Sequence, residues 1–238
     1  MTLNVVTADS DIPGDNLMDK INVKLDDYTT INVALRAIAK PYMNDKPSLE
    51  LLKNIVSYGH TSVVEHIVFH FDITGVSRLL LQEFSRHRIA SETVESTRFV
   101  LIKSIREIDT ESNGITAYFV IPELFQKNPA LEMFYRKHIG MVVQNIRHMS
   151  DLIRELKDSG HIDTMERTSD YLKYMLTEGF RTSIYWTVNL RSLANFISLR
   201  ESKTAHFEIR KLANIIHHAV SLTEYGEVLE MMLTNNRE

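Results

Sequence analysis

Cysteine is absent from all 238 residues of this sequence. Its absence excludes disulfide bonds, zinc sites with thiolate ligands, iron–sulfur clusters and every reaction that needs a thiol nucleophile. Proline and glycine are also scarce, at 5 and 8 residues, so few positions mark a turn or a linker between domains. We find neither an internal repeat nor a low-complexity tract. The length therefore suits one large domain, spanning residues 1–238.

Charge of neither sign dominates the chain. Lysine and arginine number 27 and aspartate and glutamate number 31, which gives a formal net charge of -4. A chain so nearly balanced is not a general binder of polyanions, and any basic patch must be local. No run of 18 apolar residues could span a membrane, and no signal peptide is apparent. We therefore expect a soluble, cytoplasmic protein that binds neither nucleic acid nor membrane.

Apolar periodicity predicts both strands and helices. Alternation of apolar and polar side chains over 67–73 is typical of a strand with one buried face. Ser48 is a suitable N-cap for the second early helix, and the chain from Asn128 onward reads mostly as three long helices. The other predicted elements are helices over 28–42, 47–60 and 76–88 and strands over 3–6, 96–104 and 117–122. Together these elements predict an α+β fold dominated by helices.

The stretch SRHRIASETVESTRFV, residues 85–100, is unusual in combining three arginines and a histidine with five serines or threonines. If Arg86, His87 and Arg88 end the preceding helix, successive side chains point about 100° apart, so the two arginines face nearly opposite ways. Two ligands, or one ligand and a neighbouring subunit, then suit them better than a single row of phosphates. A solvated, basic helix end, which the helix dipole favours, explains the same residues equally well.

A second informative stretch begins at Trp186. Trp186, Leu190, Leu193 and Ile197 repeat at helical spacing and predict the buried stripe of an amphipathic helix. Arg200 falls next on this stripe, where a guanidinium is costly unless anions or carbonyl oxygens meet its donors. Arg200 is therefore predicted to contact a ligand at an inner site, unless the helix ends one residue earlier and leaves the side chain in solvent.

The stretch YGHTSVVEHIVFHF contains residues that could suggest a metal site. His60, Glu65 and His66 do not follow the HExxH spacing, and the segment passes from loop to strand, where the two histidines need not converge. We therefore predict no metal here, and capping, turn formation or binding of a polar cofactor group is a better use of the cluster. His217 and His218 are expected on the surface of a terminal helix.

Three motifs resemble, in the same order, those of the flavin-dependent thymidylate synthases. RHRIASETVESTR carries that family's RHR-x7-S signature, from Arg86, His87 and Arg88 to Ser96. GHTSVVEH resembles the family's GHxSxxEH element, and NLRSLANFISLR is similar to its C-terminal helix. The resemblance covers elements between about residues 59 and 210, so it is more specific than a single motif.

The resemblance implies a homotetramer with a mostly antiparallel central sheet and long helices, binding FAD at subunit junctions. It implies methylation of C5 of dUMP to give dTMP, with methylenetetrahydrofolate as the carbon donor and NADPH as the source of electrons for FAD. The lack of cysteine agrees with this activity. The other class of thymidylate synthase needs a thiolate adduct at uracil C6, whereas flavin chemistry requires no protein nucleophile.

The resemblance also assigns roles to single residues. Arg200 and Ser96 are the candidate catalytic residues: Arg200 would stabilise negative charge on the uracil oxygens, and Ser96 would position the nucleotide, since no base for its hydroxyl is apparent. The residues expected to bind FAD are His60, Ser62, Glu65, Arg86, His87, Arg88, Ile89, Asn189, Arg191 and Asn195. Those expected to bind dUMP are Glu83, Arg86, Glu95, Ser96, Arg98, Lys173 and Arg200.

Departures from the family's pattern fall mainly on the nucleotide side. Glu83 stands where Gln is usual, Val94 removes a polar partner, and Lys173 replaces a phosphate-binding Arg. Phe99 takes the place of a common Tyr and Thr204 that of a usual His. These changes predict weaker binding of dUMP than is usual for the family. They leave open a member that methylates or hydroxymethylates another pyrimidine nucleotide, and a nucleic-acid or regulatory binding module in which RHR meets phosphates.

Overall fold

The computed structural model describes residues 21–108 and 114–235, so the strand predicted over 3–6 lies outside the described residues. A four-stranded sheet forms the centre of the described chain, with every strand antiparallel to its neighbours. Its order is β1-β2-β4-β3, and the strands are β1 (Asn22–Tyr28), β2 (Val68–Ser77), β3 (Ser91–Val94) and β4 (Arg181–Asn189). The predicted α+β class, with an antiparallel central sheet, is confirmed.

Helices account for most of the remaining described residues. The four before residue 108 are α1 (Ile31–Tyr42), α2 (Leu49–Ser57), α3 (Arg78–Phe84) and α4 (Thr97–Glu107). The four in the middle are α5 (Gly114–Tyr118), α6 (Glu123–Gln126), α7 (Pro129–Asp158) and α8 (Thr168–Leu172). The three that follow the sheet are α9 (Leu190–Arg200), α10 (Phe207–Ser221) and α11 (Gly226–Asn235). None of the helices found in 21–108 and 114–235 is long and apolar enough to cross a membrane.

The alternating pattern of β2 produces one buried face, as predicted. Phe69, Phe71 and Ile73 are fully buried, whereas His70 and Asp72 point to the other face of the sheet and stay partly exposed. The buried face packs against helices α1, α2, α9, α10 and α11 in the larger of two hydrophobic clusters. A fully buried Phe or Ile side chain stabilises a fold by about 1.5–3 kcal/mol relative to an exposed one. Burial of this face therefore holds β2 in place, together with the Thr61–His66 segment before it and helix α3 after it.

A second hydrophobic cluster lies among helices α4, α5, α7 and α8. Leu101, Ile139, Val143, Ile146 and Leu172 are buried in it. Three of these residues come from α7 at spacings of three and four, so only one stripe of this long helix is buried. The chain thus builds two cores, and candidate functional residues border both.

Several predicted elements are wrong. The segment 96–104 lies at the start of helix α4, whose buried residues Thr97, Leu101, Ser104 and Ile105 follow helical spacing. The segment 117–122 ends helix α5 and then forms only an isolated bridge between Phe119 and Phe180. Short apolar runs suit either structure, so periodicity alone could not decide between them.

Strand β4 lies in a region that the sequence analysis assigned to helix. Ile184, Trp186 and Val188 are buried in alternation, which is the period of a strand. Trp186 therefore belongs to β4, and the amphipathic helix starts at Leu190. The four-residue step from Trp186 to Leu190 matched helical spacing by coincidence. Leu190, Leu193 and Ile197 are buried as predicted.

His217 is half-buried instead of lying on the surface, whereas His218 is exposed as predicted. The Nδ1 of His217 lies 2.7 Å from Glu201 Oε1, and its Nε2 lies 2.7 Å from Glu230 Oε1. Burial opposes a charge on His217, but the hydrogen bonds with the two carboxylates outweigh it and raise the pKa of the imidazole. This contact could not be predicted from the sequence, because the two carboxylates lie 16 and 13 residues from His217 and on no common helical turn with it.

Candidate active site

A cavity of about 1000 Å³ lies where the turn after α3, the segment after α2, the end of β4 and the first turns of α9 meet. We call it the arginine cavity, because Arg86, Arg88, Arg191 and Arg200 line it. Its volume is at the upper end of the range for small-molecule sites, about 300–1,000 Å³. The predicted site residues that line it are Glu65, Arg86, His87, Arg88, Ile89, Asn189, Arg191, Asn195 and Arg200.

The RHR residues form a turn and not the end of a helix. Helix α3 ends at Phe84, and the backbone N–H of His87 donates to the Phe84 carbonyl at 3.0 Å. Phe84 is held in the core against Trp186 at 4.9 Å between ring centroids. The prediction of divergent helical arginines is therefore wrong. Instead, the turn directs Arg86 and Arg88 to the same cavity.

The guanidinium groups of Arg86 and Arg88 have no hydrogen-bond or ion-pair partner among the described residues. Both side chains are exposed at the cavity surface. Arg191, in the first turn of α9, instead donates to Glu65 Oε1 at 2.6 Å. Two of the four arginines can therefore meet an anion without first breaking an internal pair. This arrangement suits phosphate groups, which arginine binds through charge-assisted hydrogen bonds.

Arg200 ends helix α9 and is held from three directions. Its Nη1 donates to Glu83 Oε2 at 2.7 Å, its Nη2 donates to the Glu83 carbonyl at 3.2 Å, and its Nε donates to His87 Nε2 at 2.9 Å. Its side chain is only 18% exposed. The carboxylate and the backbone carbonyl of Glu83 thus accept hydrogen bonds from this largely buried guanidinium, as expected for an arginine on an apolar stripe. Glu83 itself does not line the cavity.

His87 is neutral near pH 7. Burial, together with the adjacent charge of Arg200, lowers the pKa of His87 to about 4. A neutral imidazole carries one N–H, and its Nε2 already accepts from Arg200, so the proton is on Nδ1. Its ring also packs edge-on against Phe196, with centroids 4.9 Å apart. The imidazole of His87 is therefore held in a fixed orientation at the cavity wall, with its N–H on Nδ1.

The segment after α2 forms another wall of the cavity. Gly59 has a φ of +81°, in the left-handed region that favours glycine, and leads the chain into a 3-10 turn at Thr61–His66. Gly59, Thr61 and Glu65 line the cavity, whereas His60 and Ser62 are exposed beside it. No group of three or more His, Asp or Glu side chains in 21–108 and 114–235 is placed to hold a metal ion.

Asn189 connects strand β4 to helix α9. Its Oδ1 accepts from the backbone N–H of Ser192 at 2.8 Å and so caps the helix. The amide nitrogen of Asn189 is thereby turned to donate elsewhere. Asn195 lies on the next turn of α9, is exposed and also lines the cavity. These side chains add directional donors and acceptors to the charges of the arginines.

The other predicted nucleotide-binding residues do not line the arginine cavity. Arg98 Nε and Lys173 Nζ both donate to Asp170 Oδ1, at 2.9 and 3.1 Å, and we call these three residues the α4–α8 corner. The bond from Arg98, followed by that from Lys173, lowers the pKa of Asp170 despite partial burial. Glu95 accepts from the Ser183 hydroxyl at 3.2 Å. Ser96 is exposed at the N-cap of α4 and makes no side-chain capping bond.

Sequence reasoning missed Asp170 and part of the cavity wall. Asp170 lies three residues before Lys173 on one short helical segment, a spacing that brings the two side chains together. That spacing was the available signal. Trp186, Leu199 and Met232 also line the cavity. The apolar character of these three gave no indication of a site, since apolar residues at helical or strand spacing usually belong to the core.

Comparison with known proteins identifies relatives over most of the chain. The family described as thymidylate synthase complementing protein matches residues 21–222. A flavin-dependent thymidylate synthase from Wolinella succinogenes is 35% identical over 161 residues, covering 68% of this chain and 70% of that one. One from Campylobacter jejuni is 35% identical over 176 residues, covering 74% and 75%.

A solved structure is similar in both fold and sequence. Thymidylate synthase X from Helicobacter pylori, crystallised with FAD and dUMP, superposes with a TM-score of 0.68 at 27% identity. The superposition covers 90% of this chain and 99% of that one. Together with the family match, these similarities extend well beyond the three motifs. The chain belongs to the flavin-dependent thymidylate synthase family.

Proposed function

We propose that this enzyme methylates C5 of dUMP to give dTMP, with FAD bound in the arginine cavity. The observation that carries the proposal is the convergence of the RHR turn with Asn189, Arg191 and Asn195 on one cavity, in a chain of this family. The Helicobacter pylori relative was crystallised with both FAD and dUMP. That complex supports the same pair of ligands for this chain.

The cavity has the size and the donors that FAD needs. Arg86 and Arg88 would meet the pyrophosphate, because neither has an internal partner to release among the described residues. Asn195 and the free amide nitrogen of Asn189 would orient polar edges of the cofactor. Glu65 would face the nucleotide side, and His60 and Ser62 would contact the cofactor at the cavity margin. FAD, once bound, would supply a hydride to the pyrimidine.

Arg200 and Ser96 would act on the nucleotide. Of the five N–H donors of Arg200, three are used within the protein, so two can reach the uracil oxygens and stabilise charge that develops on them. The Ser96 hydroxyl has no hydrogen-bond partner among the described residues, hence no adjacent base to activate it. This supports a positioning role for Ser96 and none as a nucleophile.

The α4–α8 corner would hold the phosphate of dUMP. Arg98 and Lys173 lie within 3.1 Å of one carboxylate oxygen, so their charges are close enough together to bind a single phosphate oxygen. Asp170 occupies that position within the free chain and would give way to the ligand. Because Lys173 is a point charge in place of a bidentate arginine, we expect dUMP to bind more weakly than is usual for the family.

A single chain keeps the α4–α8 corner outside the arginine cavity. We therefore propose that residues of one subunit complete the cofactor and nucleotide sites of another, within the homotetramer that the resemblance to the family implies. Light scattering during size-exclusion chromatography tests the assembly, and FAD absorbance gives the stoichiometry. A monomer that binds one FAD tightly would refute a shared site.

The full reaction would convert dUMP, methylenetetrahydrofolate, NADPH and a proton to dTMP, tetrahydrofolate and NADP⁺. The methylene carbon would form the new bond to C5, C5 would release its hydrogen as a proton, and two electrons from NADPH would complete the methyl group. The balance requires a carbon donor at the oxidation level of formaldehyde and two electrons to reach a methyl group, and methylenetetrahydrofolate and NADPH would supply them.

Titration of the purified enzyme with dUMP, dCMP, UMP and a 5-substituted analogue, followed through the flavin absorbance, tests the proposal. Mass spectrometry of the product then separates methylation from hydroxymethylation. The proposal requires bound FAD and conversion of dUMP to dTMP. Turnover of another pyrimidine nucleotide would favour the alternative activity, and a colourless protein that binds nucleic acid would refute both. Cytoplasmic location and the single domain over 1–238 stay predictions.

A further inference from the structure

Glu83 faces Arg200 and not the arginine cavity. The residue supplies two acceptors at once, because its carboxylate meets Nη1 and its backbone carbonyl meets Nη2 of Arg200. Acceptors on both terminal nitrogens fix the plane of a guanidinium, which is flat and rigid. His87 accepts from Nε, so each of the three guanidinium nitrogens has an acceptor within the protein. The orientation of Arg200 is therefore determined by the end of α3 and the turn that follows it.

The two remaining N–H donors of Arg200 belong to Nη1 and Nη2, the nitrogens that Glu83 already contacts. We propose that Glu83 is a positioning residue, which holds Arg200 so that its remaining donors keep a fixed direction relative to the pyrimidine. The inference rests on the proposed function, because that function supplies the pyrimidine that the remaining donors of Arg200 would contact. It differs from direct binding of dUMP by Glu83, because Glu83 acts through Arg200 alone.

The surroundings of Glu83 suit this role. Leu80 and Phe84, on the same helix, are buried in the large core, so the backbone that carries Glu83 is held firmly. The Glu83 side chain is 34% exposed, against 18% for Arg200. Replacement of Glu83 therefore leaves no cavity in the core, although it leaves Arg200 without its anionic partner. The carboxylate also offsets the charge of Arg200, so its removal changes both the orientation and the net charge of the site.

Two substitutions separate orientation from charge. Glu83→Gln keeps an acceptor for Nη1 and removes the charge, whereas Glu83→Ala removes both and retains helix propensity. A matched control pair is Glu132→Gln and Glu132→Ala. Glu132 pairs with Arg136 on α7 at 2.7 Å, the two side chains are each 27% exposed, and neither residue lines the arginine cavity. Thermal unfolding and FAD content establish that each variant is folded and loaded.

The first measurement is the rate at which dUMP and methylenetetrahydrofolate oxidise the reduced flavin in a single turnover, together with the dissociation constant of dUMP. Misplacement of a catalytic donor by about 1 Å can lower a rate 100-fold. We expect Glu83→Ala to lower the rate about 10- to 100-fold, Glu83→Gln to lower it less, and the dissociation constant of dUMP to change less than about threefold. The Glu132 variants should react at the wild-type rate.

The second measurement repeats the Glu83 substitutions in an Arg200→Ala background. A residue that acts only through Arg200 loses its effect when Arg200 is absent, so the two changes should be strongly non-additive. For Glu83→Ala in this background, we expect both the residual rate and the dissociation constant of dUMP to remain within about twofold of Arg200→Ala alone. A larger effect of Glu83→Ala there would show direct contact with the ligand and overturn the proposal.

The third measurement needs no substrate. Histidine signals of the full-length chain as purified are titrated by NMR, with the His87 signal assigned from His87→Gln. In the wild type, His87 should stay neutral down to about pH 4, because burial and, to a smaller extent, the adjacent charge of Arg200 lower its pKa. In Glu83→Ala, Arg200 is released, so the part of the shift that its charge causes should disappear and the pKa of His87 should rise above the wild-type value, while burial keeps it below 6.5. An unchanged His87 titration in that variant would show that Arg200 keeps its place without Glu83.

The outcomes distinguish failure of this inference from failure of the proposed function. A wild-type enzyme that does not react with dUMP would refute the proposed function, while the His87 titration would still test whether Glu83 positions Arg200. A wild-type enzyme that reacts with dUMP, together with a Glu83→Ala variant of unchanged rate, would refute the inference alone.

Discussion

The arginine cavity and the α4–α8 corner hold their cations in opposite ways. In the cavity, the guanidinium groups of Arg86 and Arg88 are exposed and have no partner among the described residues. In the corner, Arg98 and Lys173 share one oxygen of Asp170. An anion can enter the first region at the cost of desolvation alone, whereas in the second it must also displace a carboxylate. The difference predicts tight binding in the cavity and weaker, exchangeable binding in the corner.

The RHR-x7-S motif connects the two regions. Between its ends lies β3, four residues that pair with β4 from Ser91 opposite Thr187 to Val94 opposite Ile184. An extended strand of that length spans about 13 Å. The motif therefore holds its arginines and its serine apart, and the fixed spacing in sequence reflects a strand and not a single binding loop.

Loss of Arg200 should have the largest effect on catalysis. We expect Arg200→Ala to keep FAD bound and to lower the rate of pyrimidine-dependent flavin oxidation about 100- to 1,000-fold, because removing one donor to a developing oxyanion typically costs that much. Stopped-flow absorbance measures the rate. Arg210→Ala is a suitable control, since Arg210 donates to the Lys203 carbonyl and does not line the cavity. If the flavin of Arg200→Ala is oxidised at the wild-type rate, Arg200 does not take part in the reaction.

Reciprocal substitutions test whether the two regions bind different ligands. Arg98→Ala should weaken dUMP about 10- to 100-fold and leave FAD affinity unchanged, because a charge-assisted hydrogen bond is lost. Arg86→Ala should mainly weaken FAD. Flavin fluorescence gives the affinity for FAD, and the flavin absorbance change gives that for dUMP. Equal losses of both ligands in both variants would mean that the regions form one binding site.

A smaller gain is expected from Lys173→Arg. The planar fork of arginine can contact a phosphate and Asp170 at once, so dUMP should bind about 2- to 10-fold more tightly. Lys103→Arg, on an exposed face of α4, controls for the general effect of the substitution. Titration of the flavin absorbance is the measurement. If the unmodified enzyme already binds dUMP tightly and exclusively, Lys173 does not weaken the affinity for dUMP and the prediction is wrong.

The smallest predicted effects concern stability against pH. His87 has a folded pKa of about 4, below its unfolded value, so stability should fall as pH decreases from about 6.5 towards 4. His217 has a raised pKa in the folded chain, so its stabilisation is complete below about 6.5 and is lost as pH rises through the folded value. His217→Gln should flatten only the alkaline side of a plot of Tm against pH, by about 2–4 °C. A change on the acid side would contradict this assignment.

Sequence patterns predicted the features that depend on local chemistry. The Ser48 side chain accepts from the Leu51 N–H at 3.2 Å, and β2 buries its apolar face, both as expected. The identity of the family also followed from three motifs. Such features need only a cap, an alternation or a fixed spacing, all of which are readable within ten residues or so of one another.

Features set by distant contacts were missed. Helix α3 ends at Phe84, which packs against Trp186, a residue more than a hundred positions away, and the RHR residues follow in a turn. Glu83 meets Arg200 between α3 and α9, and Asp170 meets Arg98 between α4 and α8. Spacing along the chain indicates neither contact; it indicates only the local pair of Asp170 with Lys173. Ion pairs across elements become visible only when the fold brings the elements together.

One such long-range contact bears on how the chain folds. The N-terminus of α3 is fixed by Ser77, whose backbone N–H and hydroxyl both donate to the buried carboxylate of Glu208, at 2.7 and 2.6 Å and 131 residues apart in sequence. Closing so long a loop costs entropy that only later contacts can repay, which slows folding. During synthesis, α3 therefore lacks this anchor until α10 has been made. Since α3 leads directly into the RHR turn, we expect this wall of the cofactor site to reach its final position only after α10 has docked.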